Sequence, residues 1–334
     1  MLMTTKKILI TGGLGYIGSK FLQRFNAEYN FKIVDSNFFG NHLPTNQNDS
    51  LLLKDIRDLN LNDLDGVEYV LHLAELSNDP LGNINSKLTH DINVLGTKKL
   101  IDLCNQSNIR NFIYMSSCSV YGKTQNKYVD ELSALTPLTD YSKSKILNEK
   151  YILENNRNFP ITIFRNATVF GFAPNLRLDL AINDLTYSAF SQNKIKVLSD
   201  GTPKRPFVHI DDLVILIHHF FSNGIYFDNE IINIGNEELN YSIKEVANQI
   251  SEITGVSEIS FGNADTDQRS YLVKFEKLRK LMPNFTFKNN LKLGVLDLLK
   301  NFEHYEHSFS SRRLSQIEQL IKEDKIDNNL RWII

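Results

Sequence analysis

The chain has 334 residues, a net charge of −2, and 42% hydrophobic and 23% charged residues, the composition of a globular protein with a sizeable core. Its basic residues are scattered and no apolar run approaches a bilayer span, so we expect neither nucleic acid nor a membrane as a partner. The two cysteines, Cys104 and Cys118, match no metal-ligand or disulfide pattern, so no metal site is predicted. Residues 1–7 leave no room for a signal peptide before the first strand, so we expect a cytoplasmic protein.

A glycine-rich segment near the start lies between an apolar run at 8–10 and a helical pattern at 19–25. Its three glycines would allow a tight turn, the approach of backbone N–H groups to a diphosphate, and close packing of helix on strand. The N-terminus of the following helix would then face the phosphate charge. The cofactor contacts predicted in this segment are Gly12, Gly15, Tyr16, Ile17 and Gly18.

A second strand, predicted at 31–34, ends in Asp35, about twenty residues beyond the glycines. A carboxylate at this point accepts hydrogen bonds from ribose hydroxyls and repels a 2′-phosphate. The sequence therefore predicts NAD rather than NADP as the cofactor. A third apolar run at 51–53 leads to Asp55 and Ile56, which either lie beside the adenine or simply end a strand.

Further apolar runs predict strands at 67–74, 111–115 and 161–164, separated by helical patterns at 91–107 and 141–155. This alternation predicts an α/β fold with a Rossmann-type, doubly wound parallel sheet. In such open sheets ligands bind at the carboxyl edge of the strands, so we expect the site there.

Beyond residue 170 the strict alternation of strands and helices stops, which predicts a smaller, interrupted α/β lobe for the substrate. The tail is predicted as a charged helix ending in Trp332, which packs on the body or on a partner subunit. The predicted divisions are an NAD-binding domain at 1–170 with returning pieces near 207–235, a substrate lobe at 171–206 and 236–310, and a helical tail at 311–334.

Tyr141 and Lys145 lie four residues apart at the start of a predicted helix, so both side chains share one face. A tyrosine is normally protonated near neutrality, but a neighbouring ammonium and an oxidised nicotinamide favour the phenolate, which makes Tyr141 a usable general base. Ser117 would hydrogen-bond the same substrate hydroxyl and orient it. Asn93, in the first turn of its helix, is either a solvated position or holds a water beside the catalytic group.

Taken together, these motifs resemble the extended short-chain dehydrogenase/reductases, and within them the NAD-dependent epimerase/dehydratase family, whose members act on nucleotide-sugars. The motifs that carry the resemblance are the glycine motif at 11–18, Asp55-Ile56, His72-Leu73-Ala74, Asn93, Ser116-Ser117, Tyr141-x-x-x-Lys145, Arg165-Asn166, 205–212 and 233–235. The resemblance implies a catalytic set of Ser117, Tyr141 and Lys145 supported by Asn93. Further cofactor contacts that it implies are Leu73, Ala74, Tyr141 and Lys145.

The resemblance also implies how the second lobe holds the substrate. Asn183 and Arg205 match positions near the substrate diphosphate, and Arg269 falls where a second phosphate-binding arginine often lies. A guanidinium fork can donate two hydrogen bonds to phosphate oxygens, although each arginine could instead form a surface ion pair. The loop at 175–180 resembles a subgroup acting on nucleotide-activated sugars and heptoses at C4, where Arg177 touches substrate or is structural. The predicted substrate contacts are Ser77, Asn78, Ser119, Asn166, Arg177, Asn183, Arg205 and Arg269.

Two departures from the family pattern bear on the reaction. The family's 4,6-dehydratases place Asp-Glu directly after the catalytic hydroxyl residue, where this chain has Cys118 and Ser119. Glu75 stands where a small residue is common; we expect it to face solvent, the alternative being a second base. The sequence thus predicts a nucleotide-sugar epimerase-type enzyme that oxidises C4 and keeps the C6 hydroxyl. The alternatives are a 4-oxidase or ketoreductase with net redox, a 4,6-dehydratase, and a non-catalytic NAD-binding sensor.

The same resemblance implies a homodimer, since family members commonly pair through the two helices predicted at 91–107 and 141–155. Both helices carry apolar residues beyond a single core-facing stripe. The residues expected at this contact are Leu95, Leu100, Ile146, Tyr151 and Leu153.

Overall fold

The computed structural model describes residues 6–40, 49–77, 79–155, 157–264, 269–303 and 312–333. The strands are β1 (Lys7–Thr11), β2 (Asn30–Asp35), β3 (Ser50–Leu53), β4 (Tyr69–His72), β5 (Asn111–Ser117), β6 (Lys123–Val129), β7 (Ile161–Asn166), β8 (Thr168–Phe170), β9 (Ile195–Val197), β10 (Lys204–His209), β11 (Glu230–Ile234), β12 (Asn240–Ser242), β13 (Ile259–Phe261) and β14 (Ser270–Val273). The helices are α1 (Tyr16–Phe25), α2 (Asp79–Gly82), α3 (Ser86–Thr89), α4 (Gly96–Asn105), α5 (Asp140–Glu154), α6 (Ala181–Gln192), α7 (Ile210–Asn223), α8 (Ile243–Thr254), α9 (Glu276–Leu281), α10 (Leu291–Phe302) and α11 (Arg313–Lys322), with a π-helix at His90–Leu95.

The central sheet has seven strands in the order β11-β7-β5-β4-β1-β2-β3, and every neighbouring pair is parallel. The chain winds outward from β1 through β2 and β3, then crosses back to β4 on the other side of β1. The strand order therefore reverses between β1 and β4, whose last residues Thr11 and His72 are paired. Such a switch point leaves a crevice at the carboxyl edge of the sheet. The prediction of a Rossmann-type, doubly wound sheet is confirmed.

The strand sequences explain why both faces of this sheet are covered. Side chains alternate across a strand, so Ile8 and Ile10 of β1 lie in one apolar cluster while Leu9 lies in the other. The whole of β4 and of β7 is buried. Near-continuous burial is what a parallel sheet between two helical layers requires.

A buried ion pair fastens α5 to the sheet. Nη2 of Arg165, on β7, lies 2.6 Å from Oε2 of Glu149, on α5, and both side chains are 3% exposed. Ser116 Oγ, at the end of β5, donates to the same carboxylate at 2.5 Å. These contacts hold α5 against the carboxyl ends of the two strands beside it.

The second lobe is built from short strands around the central sheet's edge. β10 pairs in parallel with β8 and antiparallel with β12, and the pairs β9/β13 and β6/β14 stand apart. The sequence predicts that pieces near 207–235 return to the NAD-binding domain. In the structure β11 joins the central sheet beside β7, and α7 packs on α1. Residues 207–209 instead belong to β10, which pairs with β8 in the three-stranded sheet.

The tail differs from the single helix that the sequence predicts. Helix α11 ends at Lys322, after which the chain turns back and Ile326 forms a β-bridge with Trp332. Asp327 explains this turn, because its Oδ1 accepts a hydrogen bond from the Asn329 N–H at 2.8 Å, a local bond typical of turns. Of the two placements expected for Trp332, the structure shows the body of the same chain: its Nε1 donates to the Ser36 carbonyl at 2.6 Å.

Helix boundaries also shift near residue 90. The helix predicted at 91–107 is preceded by α3 and by the π-helix, and α4 begins only at Gly96. A π-helix widens the turn and is typical of functional sites. None of the described helices is both long enough and apolar enough to cross a bilayer.

Candidate active site

A cleft of about 940 Å³ opens at the carboxyl edge of the central sheet and extends to the small lobe. Most of the residues predicted for cofactor and substrate line it. They are Gly12, Gly15, Tyr16, Ile17, Gly18, Asp35, Asp55, Ile56, Leu73, Ala74, Ser77, Ser117, Ser119, Tyr141, Lys145, Asn166, Arg177, Arg205 and Arg269. Asn78 lies outside the described residues.

The glycine loop leaves no space for side chains. A Cβ on Gly12 would lie 2.7 Å from the Ala74 nitrogen, and one on Gly18 would lie 2.5 Å from the Gly13 carbonyl oxygen. Gly12 also has φ of +71°, a conformation that favours glycine. Gly15 begins α1 without a side-chain cap, so the first backbone N–H groups of the helix remain available to an anion. The loop therefore fits a dinucleotide diphosphate.

Asp35 and Asp55 lie at the end of the cleft that is predicted to hold adenosine, and their carboxyl groups have different partners. Asp35 accepts backbone hydrogen bonds from Leu14 at 3.0 Å and Asn37 at 2.7 Å, and burial raises the pKa of its carboxyl group. The Asp55 carboxylate is engaged by Arg57, whose Nη2 lies 2.7 Å from Oδ2. Asp55 thus caps the turn that follows its strand and also lines the cleft, so its place beside an adenine stays a prediction.

The catalytic residues predicted from sequence lie together. Thr139 caps α5 by accepting from the Ser142 N–H, which places Tyr141 in the first turn of that helix. Ser117, at the end of β5, lines the same cleft as Tyr141, and its Oγ accepts from the Ser119 N–H at 3.1 Å. Lys145 lies one turn further along α5, with Nζ 5.4 Å from the centre of the Tyr141 ring.

Glu75 is buried against Lys145, so the expectation that it faces solvent is wrong. Its Oε2 lies 2.5 Å from Lys145 Nζ, and the two side chains are 3% and 5% exposed. The Tyr114 hydroxyl donates to Oε1 at 2.8 Å, and Lys145 Nζ also donates to the Met115 carbonyl at 2.5 Å. Lys145 is therefore held by a carboxylate of the neighbouring strand end.

This ion pair changes the electrostatics expected for Tyr141. Burial raises the pKa of Tyr141 well above its usual value, and the negative charge of Glu75 raises it further. Arg177 and the hydrogen bond with Ser117 act in the opposite direction and lower that pKa. In the cofactor-free chain Glu75 offsets the ammonium charge, and the expectation that Lys145 and an oxidised nicotinamide together favour the phenolate stays a prediction.

Asn93 and Asn183 lie behind the cleft rather than in it. Asn93 is fully buried, and its amide accepts from the Leu76 N–H at 2.8 Å and donates to Ser144 Oγ at 3.2 Å. Neither of its predicted alternatives describes this, since it ties the end of β4 to α5. Asn183 accepts from the Gly171 N–H at 3.0 Å and donates to the Arg177 carbonyl at 3.0 Å, and its contact with a substrate diphosphate stays a prediction.

Two arginines reach the cleft from the small lobe. The guanidinium of Arg205 lies 5.1 Å from the centre of the Tyr271 ring and donates to the carbonyls of Lys204, at 2.8 Å, and Arg269. Burial lowers the pKa of Arg269. Both arginines lie in the wall of the cleft, the position that contact with a substrate phosphate requires.

The remaining predicted contacts divide into occupied and open groups. Arg177 is paired with Asp179, whose Oδ1 lies 2.9 Å from its Nε, and donates to the Ser77 carbonyl at 3.0 Å. Ser119 Oγ and Asn166 Oδ1 are buried and have no hydrogen-bond partner among the residues that the structure describes. These two atoms are therefore open to a ligand in the cleft.

Among the cleft residues that the sequence did not predict is a charged one, Arg313 of α11. Its Nη1 donates to Ser77 Oγ at 3.2 Å, far from the tail position that its number suggests. A run of mixed charges in the tail contains no local signal for this contact.

Comparison with known proteins identifies the family of this chain. The model of the NAD dependent epimerase/dehydratase family matches residues 8–235. A Bacillus subtilis (strain 168) relative, described as uncharacterized UDP-glucose epimerase YtcB, is 30% identical over 271 residues, which are 75% of this chain and 82% of that protein. The dTDP-D-glucose 4,6-dehydratase of Homo sapiens is 25% identical over 327 residues, 90% of this chain and 92% of that protein.

Solved structures share the fold. MoeE5 in complex with UDP-glucuronic acid and NAD has a TM-score of 0.77 at 25% identity, over 89% of this chain and 99% of that chain. UDP-glucuronic acid 4-epimerase from Bacillus cereus, in complex with UDP-glucuronic acid and NAD, has a TM-score of 0.79 at 24% identity, over 89% and 99% of the two chains.

This chain belongs to the NAD dependent epimerase/dehydratase family. It is accordingly an NAD-dependent enzyme of the class that modifies nucleotide-sugars as epimerases or dehydratases. The predictions of the family and of NAD as the cofactor are confirmed.

Proposed function

We propose that this enzyme oxidises a nucleotide-sugar at C4 and then returns the hydride, as a 4-epimerase does. The observation that carries the proposal is the meeting of Ser117, Tyr141 and Lys145 in the cleft that also contains the glycine loop. The names of relatives from Bacillus subtilis and Methanocaldococcus jannaschii, both UDP-glucose epimerases, support a sugar activated by a nucleoside diphosphate.

Each side chain has a distinct part in this reaction. Tyr141 removes the proton from the sugar 4-hydroxyl, and Ser117 hydrogen-bonds the same oxygen and orients it. The glycine loop and Asp35 would hold NAD, which would supply the acceptor for the C4 hydride and the source of the returning one. A 4-keto sugar that presents its other face before the hydride returns leaves as the C4 epimer. Lys145, held by Glu75, supplies the positive charge beside the phenol.

The groups of the small lobe support a nucleotide-sugar as the substrate. Arg205 and Arg269 line the cleft with guanidinium groups suited to a diphosphate. Ser119 follows the end of β5, and Asn166 is the last residue of β7. Their atoms Ser119 Oγ and Asn166 Oδ1 have no hydrogen-bond partner among the described residues and can hydrogen-bond the sugar.

Loss of water from C5 and C6 is disfavoured by the residues beside Ser117. Elimination ordinarily needs one carboxyl group as acid and another as base. Cys118 is buried, its Sγ donates to the Arg165 carbonyl at 3.2 Å, and burial raises its pKa. Glu75 lines the cleft but is paired with Lys145. We therefore propose that the C6 hydroxyl is retained. The second candidate function is a nucleotide-sugar oxidoreductase with a net change of cofactor oxidation state.

The test is incubation of the NAD-loaded enzyme with a panel of UDP- and dTDP-activated hexoses, read by NMR and mass spectrometry. In deuterated water we expect a new anomeric signal, unchanged mass and no solvent deuterium at C3, C4 or C5, because the hydrogen that returns to C4 is the one that left it. A product lighter by about 18 mass units, one water, would show a dehydratase and make Glu75 the first residue to replace. A lasting change in nicotinamide absorbance would instead identify a net oxidoreductase.

We also propose a homodimer formed by α4 and α5 of each subunit. Leu95 and Leu153 are 47% and 44% exposed, as this contact requires, and Leu147 is 45% exposed on the same helix as Leu153. Leu100 is fully buried in the core, so its predicted place at the contact is wrong. A monomer in light scattering at micromolar concentration would contradict the dimer.

A further inference from the structure

The C-terminal tail crosses the adenosine end of the cleft. Ile317, Ile326 and Leu330 anchor it in the core cluster that also contains Val34 of β2. Its later part contacts both strand ends predicted to hold adenosine, since Trp332 bonds the Ser36 carbonyl and the Asn329 carbonyl accepts from Arg57. The tail is thus part of the wall of the cofactor cleft.

Arg313, at the first position of α11, brings a guanidinium from this tail to the glycine loop. The side chain is buried, with 6% of the residue exposed, and it lines the cleft. The guanidinium carbon lies 4.5 Å from the centre of the Phe39 ring, which fixes the plane of the group. Its Nη2 lies 3.6 Å from the position that a Cβ on Gly15 would occupy. The group therefore lies within reach of whatever occupies the loop.

Two of the three guanidinium nitrogens of Arg313 have no hydrogen-bond partner in the described part of the chain. Nη1 is used by Ser77, whereas Nε and Nη2 are buried with no hydrogen-bond acceptor among the described residues. Arg177, which also contacts Ser77, is paired with Asp179 and adds a second positive charge nearby. Burial and the charge of Arg177 lower the pKa of Arg313 to about 9. A buried cation with free donors is unfavourable unless an anion joins it.

We propose that Arg313 binds the diphosphate of the dinucleotide cofactor, so that the C-terminal tail forms one side of the NAD site. The open donors Nε and Nη2 form one edge of the guanidinium fork, which matches two phosphate oxygens. The uncapped N-terminus of α1 faces the same loop. An anion held at Gly15 is therefore bound by backbone N–H groups on one side and by the tail arginine on the other. The adenosine end is closed by the same segment.

The substitution Arg313→Met tests the proposal, because it removes the charge and keeps a long side chain. Calorimetry on the NAD-free protein should show NAD and ADP binding weakened by about tenfold or more, the loss expected for a charged hydrogen-bonding partner. Adenosine, which has no phosphate, and UDP, which probes the substrate end, should bind within about twofold of the unchanged protein. The matched control is Arg312→Met, since Arg312 is exposed and paired with Asp184.

The melting temperature, measured without and with NAD, distinguishes a ligand-binding arginine from a structural one. Removing an unpaired buried cation should leave the NAD-free variant at least as stable as the original chain, while the rise in melting temperature produced by saturating NAD becomes smaller. A purely structural arginine would instead lower the NAD-free melting temperature and leave NAD affinity unchanged, and that result overturns the proposal. Weakened UDP binding with normal NAD binding also overturns it. If the methionine variant does not fold, Arg313→Lys, which keeps the charge and loses the fork, must still weaken NAD and ADP.

Discussion

Replacing Tyr141 with phenylalanine should lower turnover by about 10²-fold or more while NAD still binds, because the ring remains and only the proton acceptor is removed. The structure strengthens this expectation. The phenol is buried in the cleft that Ser117 also lines, and it lies one helical turn from Lys145; of the described tyrosines that line the cleft, none other lies on the helix of Lys145. Turnover of the nucleotide-sugar, read by NMR, and NAD binding, read by calorimetry, are the two measurements.

The matched control is Tyr151→Phe on the same helix. The Tyr151 hydroxyl donates to Asp102 at 2.7 Å outside the cleft, so its loss removes an ordinary hydrogen bond and should leave turnover unchanged. Near-normal turnover in Tyr141→Phe would place the chemistry elsewhere in the cleft. Equal losses of turnover in the two variants would indicate that both substitutions disturb α5 and that neither removes a proton acceptor.

Replacing Lys145 with methionine should destabilise the protein by about 3–5 kcal/mol as well as depress activity, because it leaves the Glu75 carboxylate buried without its cation. The double variant Glu75→Gln/Lys145→Met should recover part of this loss, since neither charge then remains in the core. Denaturant unfolding of both single variants and the double variant measures the coupling. The activity that remains should have its optimum at higher pH, since the phenolate has lost a cationic neighbour.

The stability loss should depend on pH in a defined direction. Burial raises the pKa of Glu75, and Lys145 counteracts this, so removal of the lysine raises the pKa in the folded state further above the unfolded value. The folded variant then binds more protons than the unfolded chain, and its stability falls as pH rises. The deficit should be small near pH 4 and reach its full size above the folded-state pKa.

Lys150→Met provides the control for this experiment. Lys150 lies on the same helix and contacts Glu154 at 3.8 Å, but both side chains are more than half exposed, so the change should cost less than about 1 kcal/mol. A Lys145→Met variant that loses no more stability than this control would show that the Glu75–Lys145 pair does not exist in solution. A stability deficit that grows toward acid pH would also contradict the pair.

The features that the sequence determined are those set by short-range spacing. The glycines at 12 and 18, the acid at 35 and the Tyr-x-x-x-Lys spacing each act within one turn or one strand–helix unit. Chain geometry over such distances depends on few residues, so the pattern and the structure agree. The doubly wound parallel sheet follows as well, because alternating strands and helices permit few topologies.

Only the tertiary structure decided which polar groups share a buried space. Glu75 meets Lys145 across seventy residues, and Arg313 meets the loop at Gly15 from the far end of the chain. Asn183, at a position that the family pattern assigns to the substrate, is buried and accepts a hydrogen bond from the Gly171 backbone. In each case burial removes water, and the group must find whichever partner the packing of distant segments supplies. Spacing along the sequence carries no record of that partner, because desolvation and pairing are properties of the assembled core.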